Sequence, residues 1–135
     1  MSFVQSIIKN TRELLMLDKD ATTVTTINQV LAKDGTGLVV PASNTTVRSE
    51  IEGICNQSTT AAEALTQVPA IVVSSDDVFL ASTKADSNIA HNYQRMILQN
   101  SLTVDNTGTD SASGVVQQVD VYGATTDRKI LCRFL

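Results

Sequence analysis

The chain has 135 residues, 42% of them apolar, with 18% charged residues and a formal net charge of −4. That length suffices for one domain with a real core and no disulfide or metal staple. Ten basic residues, scattered along the chain, argue against nucleic acid as a partner, because phosphate neutralisation needs clustered Lys and Arg. No apolar run approaches the roughly 20 residues that span a bilayer. The N-terminal stretch is interrupted by Lys9, Arg12 and Glu13, so it lacks a signal peptide's apolar stretch. The expectation is a protein made in a host cytoplasm, with no membrane partner.

In residues 3–17, Phe3, Val4, Ile7, Ile8, Leu14, Leu15 and Leu17 fall at spacings that make one helical face. Ser2 offers an N-cap, and Asp18-Lys-Asp ends the pattern. The spacing predicts an amphipathic helix or arm over residues 1–20, followed by a single β domain over residues 21–135. An isolated helix of this length is marginal in water, so its apolar face must pack on something. Either its own domain or a neighbouring subunit meets that need. The candidate partner interface is therefore Phe3, Val4, Ile7, Ile8, Leu14 and Leu15.

From Thr22 the texture becomes β. Ser and Thr make up about a fifth of the chain, which favours strands and turns over helices. VTTINQVLA and LVVP flank Asp34-Gly35, a strong hairpin signal, and Pro41 closes the second strand. A polar loop leads to a short strand, Ile51 to Cys55, broken by Gly53. Residues 56–67 fit a loop or a helical turn. Pro69 opens AIVVS, and a Ser74-Ser-Asp-Asp77 turn leads into VFLAS, a second predicted hairpin. Residues 84–106 fit either a helix capped by Asp86-Ser-Asn or strands, and mostly strand is favoured. Residues 107–114 are a solvated loop. The closing hairpin pairs 115–122 with 128–135, with Val119, Val121, Ile130, Cys132 and Phe134 inward and Gln118 and Asp120 outward. Seven or eight short strands at ten-residue spacing predict a mainly β fold, a small antiparallel β-barrel or sandwich.

Catalytic signatures are lacking. His91 is the one histidine and has no partner at metal-ligand spacing. Cys55 and Cys132 sit in apolar strand patterns, where burial suppresses the thiolate that a Cys–His pair needs, so two reduced, buried thiols are expected. Strand pairing nonetheless leaves a disulfide between them geometrically open. Asp76-Asp77 reads as a solvated turn, since neighbours on a strand point to opposite faces. Asp105 to Asp110 resembles a calcium-loop fragment without its terminal glutamate. Gly35-Thr-Gly37 lacks the lysine and helix of a phosphate loop. No G-x-S-x-G elbow exists. The expectation is no enzyme, no cofactor and no metal.

The order DGTGLVVPASNTTV, IEGIC, AIVVSSDDVFLA, AHNYQRMIL…LTVDN and GVVQQVDVYG…RKILCRFL resembles small β-rich capsid decoration (cement) proteins of tailed bacteriophages, over roughly residues 22–135. The amphipathic N-terminus departs from the simplest of them. The resemblance implies a virion protein on the outer capsid surface, with the major capsid protein and copies of itself as partners. Such proteins are often trimeric, with other arrangements known. Rival readings are another virion subunit (tail tube, head completion or fibre-associated) and a carbohydrate- or small-ligand-binding β module. The absence of Trp and the two Tyr count against sugar binding.

Overall fold

The computed structural model of the chain describes residues 4, 5, 14–108 and 110–135. Their strands are β1 (Val4–Gln5), β2 (Leu14–Asp18), β3 (Val30–Lys33), β4 (Val39–Pro41), β5 (Ile51–Cys55) and β6 (Gln67–Ile71). They continue with β7 (Phe79–Thr83), β8 (Arg95–Asn100), β9 (Thr103–Asp105), β10 (Val116–Val121) and β11 (Lys129–Phe134). Short 3₁₀ turns sit at Arg48–Glu50, Ile89–His91 and Thr125–Asp127.

The C-terminal half is a closed five-stranded barrel in the order β7-β11-β10-β8-β9. Its pairings are antiparallel except at the seam, where β7 and β9 run parallel through Ser82↔Thr103 and Thr83↔Val104. Beyond that short seam β1 takes over the open side of β7, with Val4↔Leu80 and Gln5↔Phe79. The second sheet is antiparallel throughout, in the order β2-β6-β5-β3-β4.

The two sheets share one core. Val30, Ala32, Ile54 and Ile71 of the small sheet join Phe79, Leu98, Val104, Ile130 and Phe134 of the barrel. Phe79 and Phe134 meet edge to face, with centroids 5.5 Å apart and planes at 80°, the arrangement that aromatic quadrupoles favour. A smaller apolar cluster of Leu31, Val39, Cys55, Val68 and Ala70 covers the other face of the small sheet, with Leu17 packed against it. Polar contacts also bridge the sheets: Val30 N donates to Ser101 O at 2.8 Å, and Gln29 Nε2 to Ser101 Oγ at 2.8 Å.

Several expectations change here. Leu14–Asp18 is a strand, so Leu14, Leu15 and Leu17 do not continue a helical face, and the described residues contain no N-terminal helix. A run of four apolar residues fits either period. The ladder to β6 supplies partners that an isolated helix turn would lack. β6 and β7 do not form a hairpin: they belong to different sheets, and residues 74–77 carry the chain between them. Gly53 does not break β5. A Cβ there would come within 2.6 Å of Ile71 O, so the glycine permits the close approach of β6.

Pro69 lies inside β6 rather than at its start. Asn56 N donates to Pro69 O at 2.9 Å, so the missing proline N–H faces a position just past the end of β5. The lost ladder bond thus falls where β5 has already ended. Within residues 84–106 the longer regular elements are the strands Arg95–Asn100 and Thr103–Asp105, with one 3₁₀ turn at Ile89–His91 and no α-helix, so the strand reading fits better than the helix.

Candidate interaction surface

Among the described residues, exposed apolar side chains lie on the edge strand β2, at one end of the barrel, and singly at Val24, Ile27 and Val47. At the first, Leu14, Leu15 and Met16 are 54%, 46% and 58% exposed on β2. β2 is the outermost strand of its sheet, and no described strand pairs with its other side. Its register to β6 runs from Leu14↔Ile71 to Asp18↔Gln67. Lys19 N donates to Thr66 O at 2.9 Å, which makes that pair hydrogen-bonded. Antiparallel ladders alternate, so Leu17 and Leu15 bond inward while the backbone groups of Leu14, Met16 and Asp18 face the free edge.

An unpaired, apolar edge is a template for strand addition, and proteins usually blunt such edges with charge or proline. On β2 the charge is Asp18, whose Oδ1 accepts from Gln67 Nε2 at 3.0 Å. Beside β2 the outer face of the small sheet holds an open cleft of ≈ 390 Å³ lined by Leu17, Asp18, Lys33, Leu38, Val39 and Glu52, among others. Lys33 Nζ and Glu52 Oε1 pair across it at 3.4 Å. A free strand edge beside a pocket for alternate side chains is the arrangement used in strand-addition binding.

The position of β2 is fixed from behind by Lys19, which is 2% exposed. Its Nζ donates to Leu65 O at 2.7 Å, Thr23 O at 3.0 Å and Asp20 O at 3.3 Å. Three carbonyls satisfy the three ammonium donors. The bond to Leu65 joins the residue after β2 to the loop entering β6.

The six candidate interface residues do not form one helical stripe. Val4 lies on β1 at the barrel, while Leu14 and Leu15 lie on β2 in the other sheet. Phe3, Ile7 and Ile8 lie outside the described residues. Met16 is the most exposed side chain on β2 and was not among the candidates, because on a helix it falls off the apolar stripe.

At the barrel's end, Ile89, Tyr93 and Tyr122 are exposed. Ser87 N donates to Thr125 O at 3.0 Å, and Arg128 Nε bonds Asp86 Oδ1 at 3.0 Å, so loops 84–94 and 122–128 share that end. Tyr93 adopts φ 69°, a left-handed conformation costly for a bulky residue. Its N–H donates to Gln118 O at 2.7 Å, and its carbonyl accepts from Gln117 Nε2 at 2.8 Å. Gln118, expected outward, is fully buried. The register shifts between Gln118 and Asp120, so the alternation read from Val119 and Val121 does not extend back through it.

The remaining chemical candidates stay apart. Cys55 and Cys132 are buried free thiols in different apolar clusters. Burial pushes the Cys132 thiol up to about 12. Asp76 is exposed and Asp77 is buried. Asp105 accepts from Thr107 N and Oγ1 at 3.0 and 2.5 Å, and Asp110 accepts from Arg95 N, Nε and Nη2 at 2.8, 3.0 and 2.8 Å. Asp105 and Asp110 line one cleft of ≈ 330 Å³, but Asp105 is held by Thr107 and Lys84 and Asp110 by Arg95 of β8. Among the described residues, no three His, Cys, Asp or Glu side chains come together in a metal-ligating group. No helix of the described residues is long and apolar enough to cross a membrane. No protein-family model matches the chain, and no curated protein matches it.

Proposed function

We propose that this chain is a structural virion protein that binds the outer surface of a phage capsid and braces the major capsid protein lattice. The resemblance of its element order supplies the phage setting. The structural observation that supports a binding role is the β2 edge, where Leu14, Leu15 and Met16 are exposed and no described strand pairs with the outer side. Strand addition there gives main-chain hydrogen bonds, and the adjoining cleft receives a side chain of the added strand. Repetition over a shell supplies avidity, so a short edge contact suffices at each site. In this reading the protein is non-enzymatic, self-associates, and works on the virion after synthesis in the host cytoplasm.

Deleting residues 2–17 would also remove most of an edge strand of the small sheet, so a point substitution is the finer probe. Met16→Pro removes an N–H that faces the free edge and takes no part in the β2–β6 ladder. The variant should keep its unfolding free energy within about 1 kcal/mol of the parent. In a co-sedimentation assay with phage heads lacking the protein, it should bind at least about tenfold more weakly. Equal binding by the folded variant would remove β2 from the mechanism. Failure of the parent to bind heads, with rings or tubes formed instead, would replace the capsid reading with another virion subunit.

A further inference from the structure

On a flat sheet the first and fifth strands lie about 19 Å apart, on opposite margins. In the small sheet, residues of both line one cleft: Met16, Leu17 and Asp18 from β2, and Leu38 and Val39 at the entry to β4. No residue of β6, the neighbour of β2, lies on that cleft. The sheet therefore curls until its margins approach each other. Its concave side is filled by Leu31, Val39, Cys55, Val68 and Ala70.

Strand direction shows what the curl lacks. Every pairing in the small sheet is antiparallel, so β2 and β4, with three strands between them, run the same way. The C-terminal barrel has the same number of strands and closes through the parallel β7–β9 seam. Among the described residues no such seam joins β2 to β4. One added strand, antiparallel to both margins, completes a six-stranded antiparallel barrel. Both margins offer it backbone groups. On β2 these belong to Leu14, Met16 and Asp18. On β4, Asp34 N donates to Leu38 O at 3.0 Å and Ala42 N to Val30 O at 2.9 Å, so by alternation Val39 bonds outward. Pro41, with no N–H, keeps the β4 contact short.

The geometry and the charges restrict the occupant. It needs two free edges, whereas a strand inside a sheet has at most one. A second copy's β2 is excluded on that ground, because β6 holds its other side. The charged groups on the cleft are already engaged: Lys33 Nζ pairs with Glu52 Oε1 at 3.4 Å, and Asp18 Oδ1 accepts from Gln67 Nε2 at 3.0 Å. A charged side chain entering among them would lose water without gaining a partner.

We propose that the small sheet is an incomplete barrel whose gap between β2 and β4 takes one extended, uncharged segment of a partner protein, a terminal arm or loop that belongs to no other sheet. The proposal rests on the binding role argued above and names the partner's chemistry. The residue opposite Leu17 turns its side chain into the cleft, against Leu38 and Val39.

The test titrates the full chain with the blocked peptide acetyl-Thr-Val-Thr-Val-Thr-Val-Thr-amide and follows backbone amides by NMR and hydrogen exchange. Saturating peptide should slow exchange at Met16, Asp18 and Val39 about tenfold. Versions with Glu or Lys in place of the valines should bind at least about tenfold more weakly. Leu38→Asp, which leaves β2 intact and charges the far wall of the cleft, should weaken the valine peptide to a similar degree. Protection confined to β2, equal binding of the charged peptides, or no binding at all overturns the proposal. So does a concentration-dependent dimer that protects the same amides without peptide. Co-sedimentation with phage heads separates this proposal from the capsid reading. A parent that binds the valine peptide but no heads overturns the capsid reading and supports the gap. Heads bound equally by the parent and Leu38→Asp overturn the gap as the docking place and leave the capsid reading standing.

Discussion

The guanidinium of Arg48 lies 5.9 Å from the centroid of the Phe134 ring, and its Nε donates to the carbonyl of Leu135. One side chain from the turn before β5 thus grips the end of β11, the strand at the heart of the barrel. Arg48→Met keeps the aliphatic stem but loses the cation–π contact and the hydrogen bond. It should cost about 1–2 kcal/mol in urea unfolding, with Arg48→Lys falling between the two.

Lys19 should be the most sensitive charged residue in the small sheet. Lys19→Met fills the same space but leaves the carbonyls of Leu65, Thr23 and Asp20 without their donor. A loss of about 2–4 kcal/mol is expected. Thermal unfolding checks it, and a loss no greater than that of an exposed lysine such as Lys33 would show that these carbonyls find other donors.

The Arg95–Asp110 pair gives a pH signature. The Arg95 side-chain bonds, then its backbone N–H, bring the Asp110 carboxyl from an ordinary 3.8 down to about 2. A carboxylate whose folded value is depressed stabilises the fold fully above its unfolded value. The contribution is lost as pH falls from about 4 to about 2. Because the pair is exposed, salt should weaken it. Carbon-13 NMR titration should place Asp110 near 2 and return it toward 3.8 in Arg95→Ala.

Neither thiol should react in the native state. Cys55 and Cys132 are fully buried, and Cys55 Sγ donates to Gln57 O at 3.0 Å. Alkylation should add nothing to the folded protein within minutes and two groups after denaturation. Non-reducing mass analysis should find both cysteines free.

The local turns were the legible part of this fold. Asp34-Gly35 and Gly123 each mark a hairpin, and Gly35 and Gly123 take the positive φ that their turns require, 91° and 73°. Ile130, Cys132 and Phe134 alternate inward as their period predicts. What stayed hidden was which strand meets which. AIVV and VFLA are adjacent and both apolar, yet they serve different sheets, because pairing depends on surfaces that arrive from elsewhere in the chain. Leu14 to Leu17 carries too short an apolar run to fix a period. Gln118 had no signal at all, since a buried glutamine is defined by the acceptors around it, here Asn88 O and Asn92 Oδ1. Leu14 and Leu15 are exposed, but an edge strand rather than a helix displays them, and Met16 joins them.

The placement of β1 and β2 has a consequence for the order in which the molecule is made. Both strands belong to the first eighteen residues, yet Leu14 must wait for Ile71 and Val4 for Leu80. During synthesis the opening segment leaves the ribosome long before either partner exists, and closing such large loops is slow. The β3–β4, β8–β9 and β10–β11 hairpins pair over far shorter separations, so they can form while the N-terminal strands are still searching. Val4 and Leu14 therefore add to the margins of sheets whose local hairpins form without them.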